Sequence, residues 1–239
     1  MLRKKVIKKI TSKLKLNTLD DYSKLSFSQC GEDLIIKFIF DCLKIKKPSY
    51  IDIGAHHPFY LSNTALLYRN GSRGINVEPD PSLFRSFLEN RLEDSNVNVG
   101  VGNSKEELDF YIISSPTLNT FSKEEAEKYS KEGDYTIKEV KKIEVLPVSE
   151  ILTEFSNGAF PQFLNVDAEG IDEMIIKQID FSNNYPIVIC LETISFSTNG
   201  SGVKDKSLID YIESNGYLVY ADTYINTIFV KKEYWENKK

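Results

Sequence analysis

The stretch SYIDIGAHHP, residues 49–58, decides the fold. Its opening residues form an apolar, β-branched run, which predicts a buried strand, and Gly54 predicts a sharp turn directly after it. Two similar units follow, with strands at 74–78 and 96–102 and helices at 61–70 and 81–92. Strands that alternate with helices predict a parallel sheet with helices on both faces, that is, a doubly wound α/β fold.

The same alternation resumes in the second half of the chain. Apolar, β-branched runs predict strands at 142–148, 161–170 and 186–193, with helices at 149–155 and 171–179 between them. A helix at 204–216 leads to two strands within 217–232, which we expect to pair as an antiparallel hairpin. Before the first strand, residues 29–44 predict a buried helix whose apolar face is Leu34, Ile35, Phe38, Ile39 and Cys42.

Residues 104–147 interrupt this alternation and predict an insertion. Their first part, 107–113, has the pattern of a half-exposed strand, and 114–139 is polar and rich in Lys and Glu. Long segments inside compact domains are often lids or binding loops. Two interpretations are open: a lid over the active site, or a solvated helix without a role. The expected organisation is a basic helical lead-in at 1–25 and a single domain at 26–239.

Charge is unevenly distributed along the 239 residues. The net charge is −5, but residues 1–15 carry seven Lys or Arg and no acid, which leaves 23 basic and 35 acidic side chains, or −12, for the rest. Nucleic-acid binding requires positive charge, so we expect no nucleic-acid partner. Residues 1–15 predict either a helix that is frayed or packed on the body, or a weak contact with a membrane surface.

Targeting signals and cysteine patterns favour the cytoplasm. No apolar run approaches the roughly 18 residues of a transmembrane helix, and the start of the sequence does not predict a signal peptide. Cys30, Cys42 and Cys190 are odd in number and far apart. A disulfide framework or a cysteine zinc site is therefore not expected, and a reducing compartment is. Nothing in these patterns predicts the oligomeric state.

Two acids at strand ends predict a nucleoside-binding site. Asp52 and Gly54 belong to the first strand and its turn, and Glu78 ends the second strand. An acid at the second position typically accepts both hydroxyls of a ribose. The loop after the first strand has one glycine and no lysine, so we expect a nucleoside without a pyrophosphate. The competing interpretation of Glu78 is an acid that stabilises a helix N-terminus.

Two further carboxylates, Asp167 and Glu192, end very apolar strands. In a sheet of order 3-2-1-4-5 these strands neighbour the first one, which would bring both acids to one crevice with His56 or His57. Carboxylates and an imidazole can bind a divalent metal or deprotonate an alcohol. The alternative is that the histidines are structural and that three acids only cap the following helix: Asp167, Glu169 and Asp172.

Taken together, these motifs resemble the FkbM-type S-adenosylmethionine-dependent methyltransferases. The resemblance covers about residues 26–193 and rests on SQCGED (28–33), YIDIGAHHPFYLSNT (50–64), INVEPDP (75–81), VLPVSEIL (145–152), PQFLNVDAEGIDEMIIKQI (161–179) and IVICLE (187–192). It implies a class I methyltransferase fold, Rossmann-like, with seven strands in the order 3-2-1-4-5-7-6, N-terminal helices and the insertion near 104–147. It also implies methyl transfer from S-adenosylmethionine to an oxygen, often a hydroxyl of a sugar or polyketide.

Position by position, the resemblance also implies cofactor contacts. The implied residues are Gln29, Asp52, Gly54, Ala55, Glu78, Pro79 and Asn98. The first strand end would approach the methionine part, Glu78 the ribose, and the segment around Asn98 the adenine. His-His-Pro follows DIGA where many members have Asn and a second Gly, a variant similar to carbohydrate-modifying members. This departure makes His56 and His57 candidates for substrate or metal work.

The expected reaction is in-line methyl transfer to a sugar hydroxyl, which needs a base or a metal to lose its proton. We expect Asp167 and Glu192, with His56 or His57, to be catalytic, and Asp167, Glu192 and His57 to hold any Mg²⁺ or Mn²⁺. The expected acceptor is a small molecule, a nucleotide-activated sugar for capsule or surface polysaccharide. Two alternatives are a non-catalytic nucleotide-binding or scaffold protein and an NAD(P) oxidoreductase; the missing G-x-G-x-x-G argues against the latter.

Overall fold

The computed structural model describes residues 22–195 and 202–238. Most of the lead-in expected at 1–25, including the 1–15 segment, lies outside the described residues. The described helices are α1 (Glu32–Cys42), α2 (Ala65–Arg69), α3 (Pro81–Asn90), α4 (Lys123–Glu132), α5 (Val148–Ser156), α6 (Asp172–Ile176), α7 (Lys206–Ser214) and α8 (Lys232–Glu236). Among them, none has the length and apolar character to span a membrane.

The strands form two sheets. They are β1 (Tyr50–Ile53), β2 (Gly74–Val77), β3 (Ser95–Val97), β4 (Gly100–Val101), β5 (Glu106–Ile113), β6 (Ile137–Leu146), β7 (Phe163–Val166), β8 (Val188–Glu192), β9 (Tyr217–Asp222) and β10 (Asn226–Lys231). Within the described residues, the large sheet has the order β3-β2-β1-β7-β8-β10-β9, and the small sheet has the order β4-β6-β5.

The large sheet confirms the expected fold class. Its first five strands run parallel, while β10 is antiparallel to both β8 and β9. Counted only among the strands of this sheet, the order is the expected 3-2-1-4-5-7-6; the labels differ because the strands of the small sheet lie between β3 and β7 in the chain.

Helices cover both faces of the central strands, which is why β1 and β7 are buried at every residue. Side chains alternate between the two faces along each strand. On one face, Ile51, Leu164 and Ile189 pack in a core that includes residues of α5, α6 and α7. On the other face, Tyr50 and Phe163 pack with residues of α1.

Two sequence expectations were wrong in detail. The buried face of α1 consists of Ile36, Ile39 and Phe40, whereas Phe38 is half exposed. The expected third strand at 96–102 is interrupted: β3 stays in the large sheet, and β4 pairs with β6 in the small one. The chain therefore leaves the large sheet after Val97. The residues that follow, Val99 and Gly100, line the cavity described below.

The insertion is more ordered than its composition suggests. Residues 114–139 contain a 3₁₀ turn at Pro116–Leu118, the helix α4 and the first residues of β6. The helix is polar outside and packs through Ala126 and Tyr129 in a small core with Ile113. The strands β5 and β6 hold this helix against the domain, since they pair along nearly their whole length.

Arg91 is a fully buried cation, 0% exposed, that ties the loop after β1 to the sheet. Its guanidinium donates to the carbonyl of Pro58 at 2.8 and 3.0 Å, to the Tyr50 hydroxyl at 2.9 Å and to the Asp94 carboxylate at 3.2 Å. It also stacks 4.7 Å from the centroid of the Tyr68 ring. A buried ion pair is costly to break, because the remaining charge loses its partner inside the protein.

We therefore expect Arg91→Leu to lower the free energy of unfolding by about 3–5 kcal/mol, because it leaves Asp94 buried without its cation. Urea denaturation followed by circular dichroism measures this change. Arg85→Leu, an exposed position on α3 close to Arg91 in the chain, is the matched control and should change the same quantity by less than about 0.5 kcal/mol. Equal effects of the two substitutions would contradict the role assigned to Arg91.

Candidate active site

A cavity of about 510 Å³ lies at the carboxyl ends of β1, β2, β7 and β8. This is the position at which open, doubly wound sheets bind their ligands. Nine of the residues expected in the site line it: Gln29, Asp52, Gly54, Ala55, His56, Glu78, Pro79, Asp167 and Glu192. His57 and Asn98 are not among the lining residues.

Gly54 lies where the ends of β1 and β7 touch. A Cβ atom on this residue would lie 1.8 Å from the carbonyl oxygen of Asp167, and its φ of +78° is also one that favours glycine. The sequence predicted a sharp turn at this glycine, and its positive φ agrees with one. The structure adds a second reason, since the backbone of Asp167 already occupies the space that a side chain would need.

The loop after Gly54 turns sharply through His56, whose φ of 54° is unusual for a residue with a side chain. The His56 N–H donates to the Glu78 carboxylate at 2.8 Å, which holds the loop against the end of β2. Burial lowers the pKa of His56, so its imidazole is neutral near pH 7. It is thus positioned on the Glu78 side of the cavity.

His57 has a structural role in the described contacts. Its Nδ1 accepts hydrogen bonds from the backbone N–H groups of Phe59 at 3.1 Å and Tyr60 at 2.9 Å. An acceptor at Nδ1 places the proton of the neutral ring on Nε2. The structure therefore does not support His57 as a metal ligand together with Asp167 and Glu192, because its side chain is used to stabilise the turn.

Glu78 is buried at the end of β2 with both carboxylate oxygens already in contact with backbone. One accepts from His56 N–H at 2.8 Å and the other from Asp80 N–H at 2.7 Å. Burial raises the pKa of Glu78 to about 8, against the opposing effect of these two hydrogen bonds. Each oxygen retains a further lone pair, so the carboxylate can still accept the two hydroxyls of a ribose.

Asp52 forms the buried floor between β1 and β7. Its oxygens accept from the Thr64 hydroxyl at 2.7 Å and from the Asn165 amide at 2.8 Å, and Asn165 in turn accepts from Asn63 at 2.9 Å. Burial raises its pKa, while these hydrogen bonds lower it. Asp52 thus fixes the segment 62–64 beside the cavity.

Asn98 lies behind the cavity wall. Its amide donates to the carbonyls of Glu78 at 2.7 Å and Pro79 at 3.0 Å, which braces the turn that carries Glu78. The next residues of its segment, Val99 and Gly100, line the cavity. The expected adenine-flanking segment is therefore at the cavity, although the Asn98 side chain supports it from outside.

Three carboxylates meet at the opposite end of the cavity. One oxygen each of Asp167, Glu169 and Glu192 lies within 4.8 Å of the others. The sequence analysis anticipated Asp167 and Glu192 but treated Glu169 as a possible helix cap. In the structure Glu169 has a φ of 47°, and its carboxylate accepts from the Tyr129 hydroxyl at 2.8 Å. Asp172 does stabilise the turn, because its oxygens accept from the N–H groups of Ala168 and Gly170.

We define Asp167, Glu169 and Glu192 as the acid cluster. Their carboxyl groups keep their protons to a higher pH than ordinary carboxyl groups do. Removal from bulk water raises the pKa of all three, and repulsion between neighbouring carboxylates adds to the effect. Asp167 is exposed and lines the cavity. Its carboxylate oxygen lies within 4.8 Å of one of Glu192, which is close enough for the two groups to influence each other's protonation.

The insertion forms one side of the cavity and contacts both of its ends. Asn119 donates to Asp80 at 3.0 Å, next to Glu78, and the Thr120 hydroxyl donates to the backbone carbonyl of Glu169 at 2.6 Å. Further lining residues come from the same segment: Pro116, Thr117, Leu118 and Phe121. These contacts favour the interpretation in which the insertion is part of the site over the one in which it is a solvated helix without a role.

The sheet order and this cavity define a class I methyltransferase fold of the Rossmann-like type. Residues 52–219 match the family described as the methyltransferase FkbM domain. The chain belongs to this family. No curated protein matches its sequence.

Several solved structures resemble the chain. A methyltransferase FkbM from Methylobacillus flagellatus is 14% identical with a TM-score of 0.45, and the match covers 77% of this chain but 44% of the other. The chain thus spans less than half the length of that protein. A precorrin-6y C5,15-methyltransferase from Geobacter metallireducens is 14% identical, with a TM-score of 0.41 and coverages of 82% and 85%. The C-terminal domain of the Rhodobacter capsulatus precorrin enzyme is 8% identical, with a TM-score of 0.39 and the same coverages.

The raised pKa values make a prediction about stability. Folded protein keeps a proton on Glu192 that the unfolded chain loses above about pH 4.3, so the free energy of unfolding falls as pH rises from there toward the folded pKa of about 10. Glutamine does not titrate, so Glu192→Gln abolishes this fall in the free energy of unfolding. Its melting temperature should match the wild type near about pH 4.5 and exceed it by more than about 5 °C near about pH 8.5, because each kcal/mol shifts the melting temperature of a domain of this size by about 2–4 °C.

Differential scanning calorimetry in buffers with EDTA measures this difference without interference from cations. Glu154→Gln, at an exposed position of α5, is the control and should change the melting temperature equally at all pH values. A difference between Glu192→Gln and wild type that does not depend on pH would contradict the shared protonation of the acid cluster.

Proposed function

We propose that the protein is an S-adenosylmethionine-dependent O-methyltransferase that acts on a sugar hydroxyl. One observation carries the proposal: a single cavity connects Glu78, at the end of β2, with the acid cluster at the ends of β7 and β8. A ribose-binding acid at one end and proton-accepting groups at the other are the two parts that this reaction requires. The FkbM family membership supports methyl transfer, and the acid cluster supports an oxygen acceptor.

When bound, S-adenosylmethionine supplies an activated methyl group on a sulfonium, which is a good leaving group. The protein has to align the acceptor oxygen in line with that methyl and to remove the hydroxyl proton as the new C–O bond forms. Asp167 is the proposed proton acceptor, because it is exposed to the cavity and its pKa is raised from the ordinary aspartate value toward neutrality. Glu192 and Glu169 lie beside it in the acid cluster.

The acid cluster is also a donor set that fits a divalent cation. Three carboxylate oxygens within 4.8 Å of one another are hard ligands of the kind that Mg²⁺ and Mn²⁺ prefer. In this arrangement Glu169 takes the place that the sequence analysis gave to His57. A bound cation would lower the pKa of a coordinated acceptor hydroxyl, whereas the residues alone provide a shared proton site.

We infer a nucleotide-activated sugar, or the glycan made from it, as the acceptor in capsule or surface-polysaccharide synthesis. The sugar end would enter the cavity. Among the described residues, no Lys or Arg lines the cavity, so the phosphates of such a substrate would lie outside it. The cytoplasm is the expected compartment, because the three cysteines are free thiols in the structure.

Calorimetric titration with S-adenosylhomocysteine tests the cofactor site. We expect a micromolar Kd for the wild type, which strengthens between about pH 7 and pH 9, because ribose hydroxyls bind the ionised form of Glu78 and its pKa is about 8. Glu78→Gln should weaken binding by about tenfold and remove the pH dependence. Repeating the titration with EDTA and with added Mg²⁺ reports whether a cation contributes. Absence of binding to the wild type would contradict the proposed function.

Transfer of labelled methyl groups to a panel of nucleotide-activated and free sugars tests the reaction. Asp167→Asn should lower kcat by about 10²–10⁴-fold, since it cannot accept the proton, while the Kd for S-adenosylhomocysteine changes little. Glu150→Gln, an exposed acid on α5, serves as the control and should retain full activity. Full activity of Asp167→Asn would contradict its role as proton acceptor.

A further inference from the structure

One wall of the cavity is built from residues outside the stretch that matches the family. Beyond the end of β8, the cavity is lined by Tyr224 and Ile225 of the turn between β9 and β10, by Asn226 at the start of β10, and by Gln29, just before α1. The family match covers residues 52–219, so both segments lie outside it. We call this part of the cavity the hairpin wall.

Glu32 joins the two segments of the hairpin wall. Its side chain is 0% exposed, and one oxygen accepts from the Thr223 hydroxyl at 2.7 Å and from the Asn226 amide at 3.2 Å. The other oxygen accepts from the Cys30 N–H at 2.8 Å. These hydrogen bonds lower the pKa of Glu32 against the effect of burial. A buried, ionised carboxylate with these three partners fixes the turn on α1.

Tyr224 occupies a strained position in that turn. Its φ is 77°, a left-handed conformation in which a bulky residue is an outlier and which costs about 1–3 kcal/mol. Three-residue hairpin loops normally place Gly at such a position. Tyr224 is 52% exposed and lines the cavity, so its ring is accessible to a ligand there.

The hairpin wall lies on the acceptor side of the site. Asn226 pairs directly with Glu192 of the acid cluster, so the turn projects just beyond the proposed proton acceptors. Glu78 is on β2, four strand positions away from β10 in the sheet order. At about 4.8 Å per strand this is a separation of about 19 Å, which places Tyr224 away from the ribose end.

The chemistry of this wall fits a neutral ring with hydroxyl groups. Apart from the acid cluster, the lining residues at this end are uncharged and include Gln29, Ile194, Ser195, Tyr224, Ile225 and Asn226. An exposed tyrosine presents a large apolar ring face, and the amides of glutamine and asparagine both donate and accept hydrogen bonds. A pyranose has a face of C–H groups for the ring and hydroxyls at its edge for the amides.

We propose that Tyr224 is a specificity-determining residue that stacks against the apolar face of a pyranose acceptor and places one of its hydroxyls at the acid cluster. The inference rests on the proposed function, since it assigns the acceptor position of the same site. It also assigns a role to a tyrosine at a turn position with positive φ, where glycine is usual.

Saturation-transfer NMR on the full chain with S-adenosylhomocysteine bound tests this assignment. The probes are methyl α-D-glucopyranoside, methyl α-D-galactopyranoside and methyl α-D-mannopyranoside. Tyr224→Ala should lose at least about tenfold in affinity for the pyranoside that binds, and Tyr224→Phe should retain it, because stacking requires the ring and not the hydroxyl. Tyr234→Ala on α8, an exposed tyrosine that does not line the cavity, is the matched control and should bind as the wild type does.

Two further measurements separate a binding role from a structural one. The Kd for S-adenosylhomocysteine should stay within about twofold in all variants, and Tyr224→Ala should keep the far-UV circular dichroism spectrum of the wild type. A Tyr224→Ala variant that binds the pyranoside normally overturns the proposal. So does a wild type that binds S-adenosylhomocysteine but none of the three probes. Failure of the wild type to bind S-adenosylhomocysteine would instead overturn the proposed function.

Discussion

The close contact between Gly54 and the carbonyl oxygen of Asp167 is the constraint on which the site depends. Only a residue without a Cβ allows the ends of β1 and β7 to approach in this way. Backbone hydrogen bonds from Asp167 to Ile53 and from Gly54 to Val77 extend the same contact across three strands. The distance between Glu78 and the acid cluster is therefore set by the backbone of the sheet, and the side chains only complete two ends of a cavity that already exists.

The site is also where the molecule departs most from its stability optimum. The acid cluster concentrates like charges in a recess that is poorly hydrated. Four of the non-glycine residues with positive φ line the cavity as well: His56, Leu61, Glu169 and Tyr224. Strain of this kind persists only when the surroundings hold it, and here the hydrogen bonds from Tyr129, Thr120 and the turn at Glu32 do so. Charge repulsion and strain on one surface are typical of a functional site.

The sheet and the strand-end carboxylates could be predicted from the sequence because both follow from local patterns. A β-branched run that ends in an acid predicts a parallel strand. It also predicts the edge of the sheet at which that acid lies. What the sequence did not reveal depends on backbone conformation and long-range contacts. Glu169 joins the acid cluster through a left-handed φ, and His57 is committed to two backbone N–H groups. The break after Val97 was hidden because apolar residues continue on both sides of it.

The role of the hairpin turn was also missed, although a signal exists: a tyrosine stands in a short loop where glycine or asparagine is usual. The insertion illustrates the same limit. Its polar composition indicated a surface segment, but only the contacts of Asn119, Thr120 and Tyr129 place it at both ends of the cavity. Such contacts join residues far apart in the chain, and no local pattern encodes them.

A crystal structure of the protein with S-adenosylhomocysteine tests the proposed direction of cofactor binding, because each end of the cavity is assigned a different task. The ribose hydroxyls should contact the Glu78 carboxylate, and the sulfur should face Asp167 and Glu192, with open space toward Tyr224. A ligand bound in the reverse direction, with its sulfur near Glu78, would contradict it, and so would a ligand bound outside this cavity.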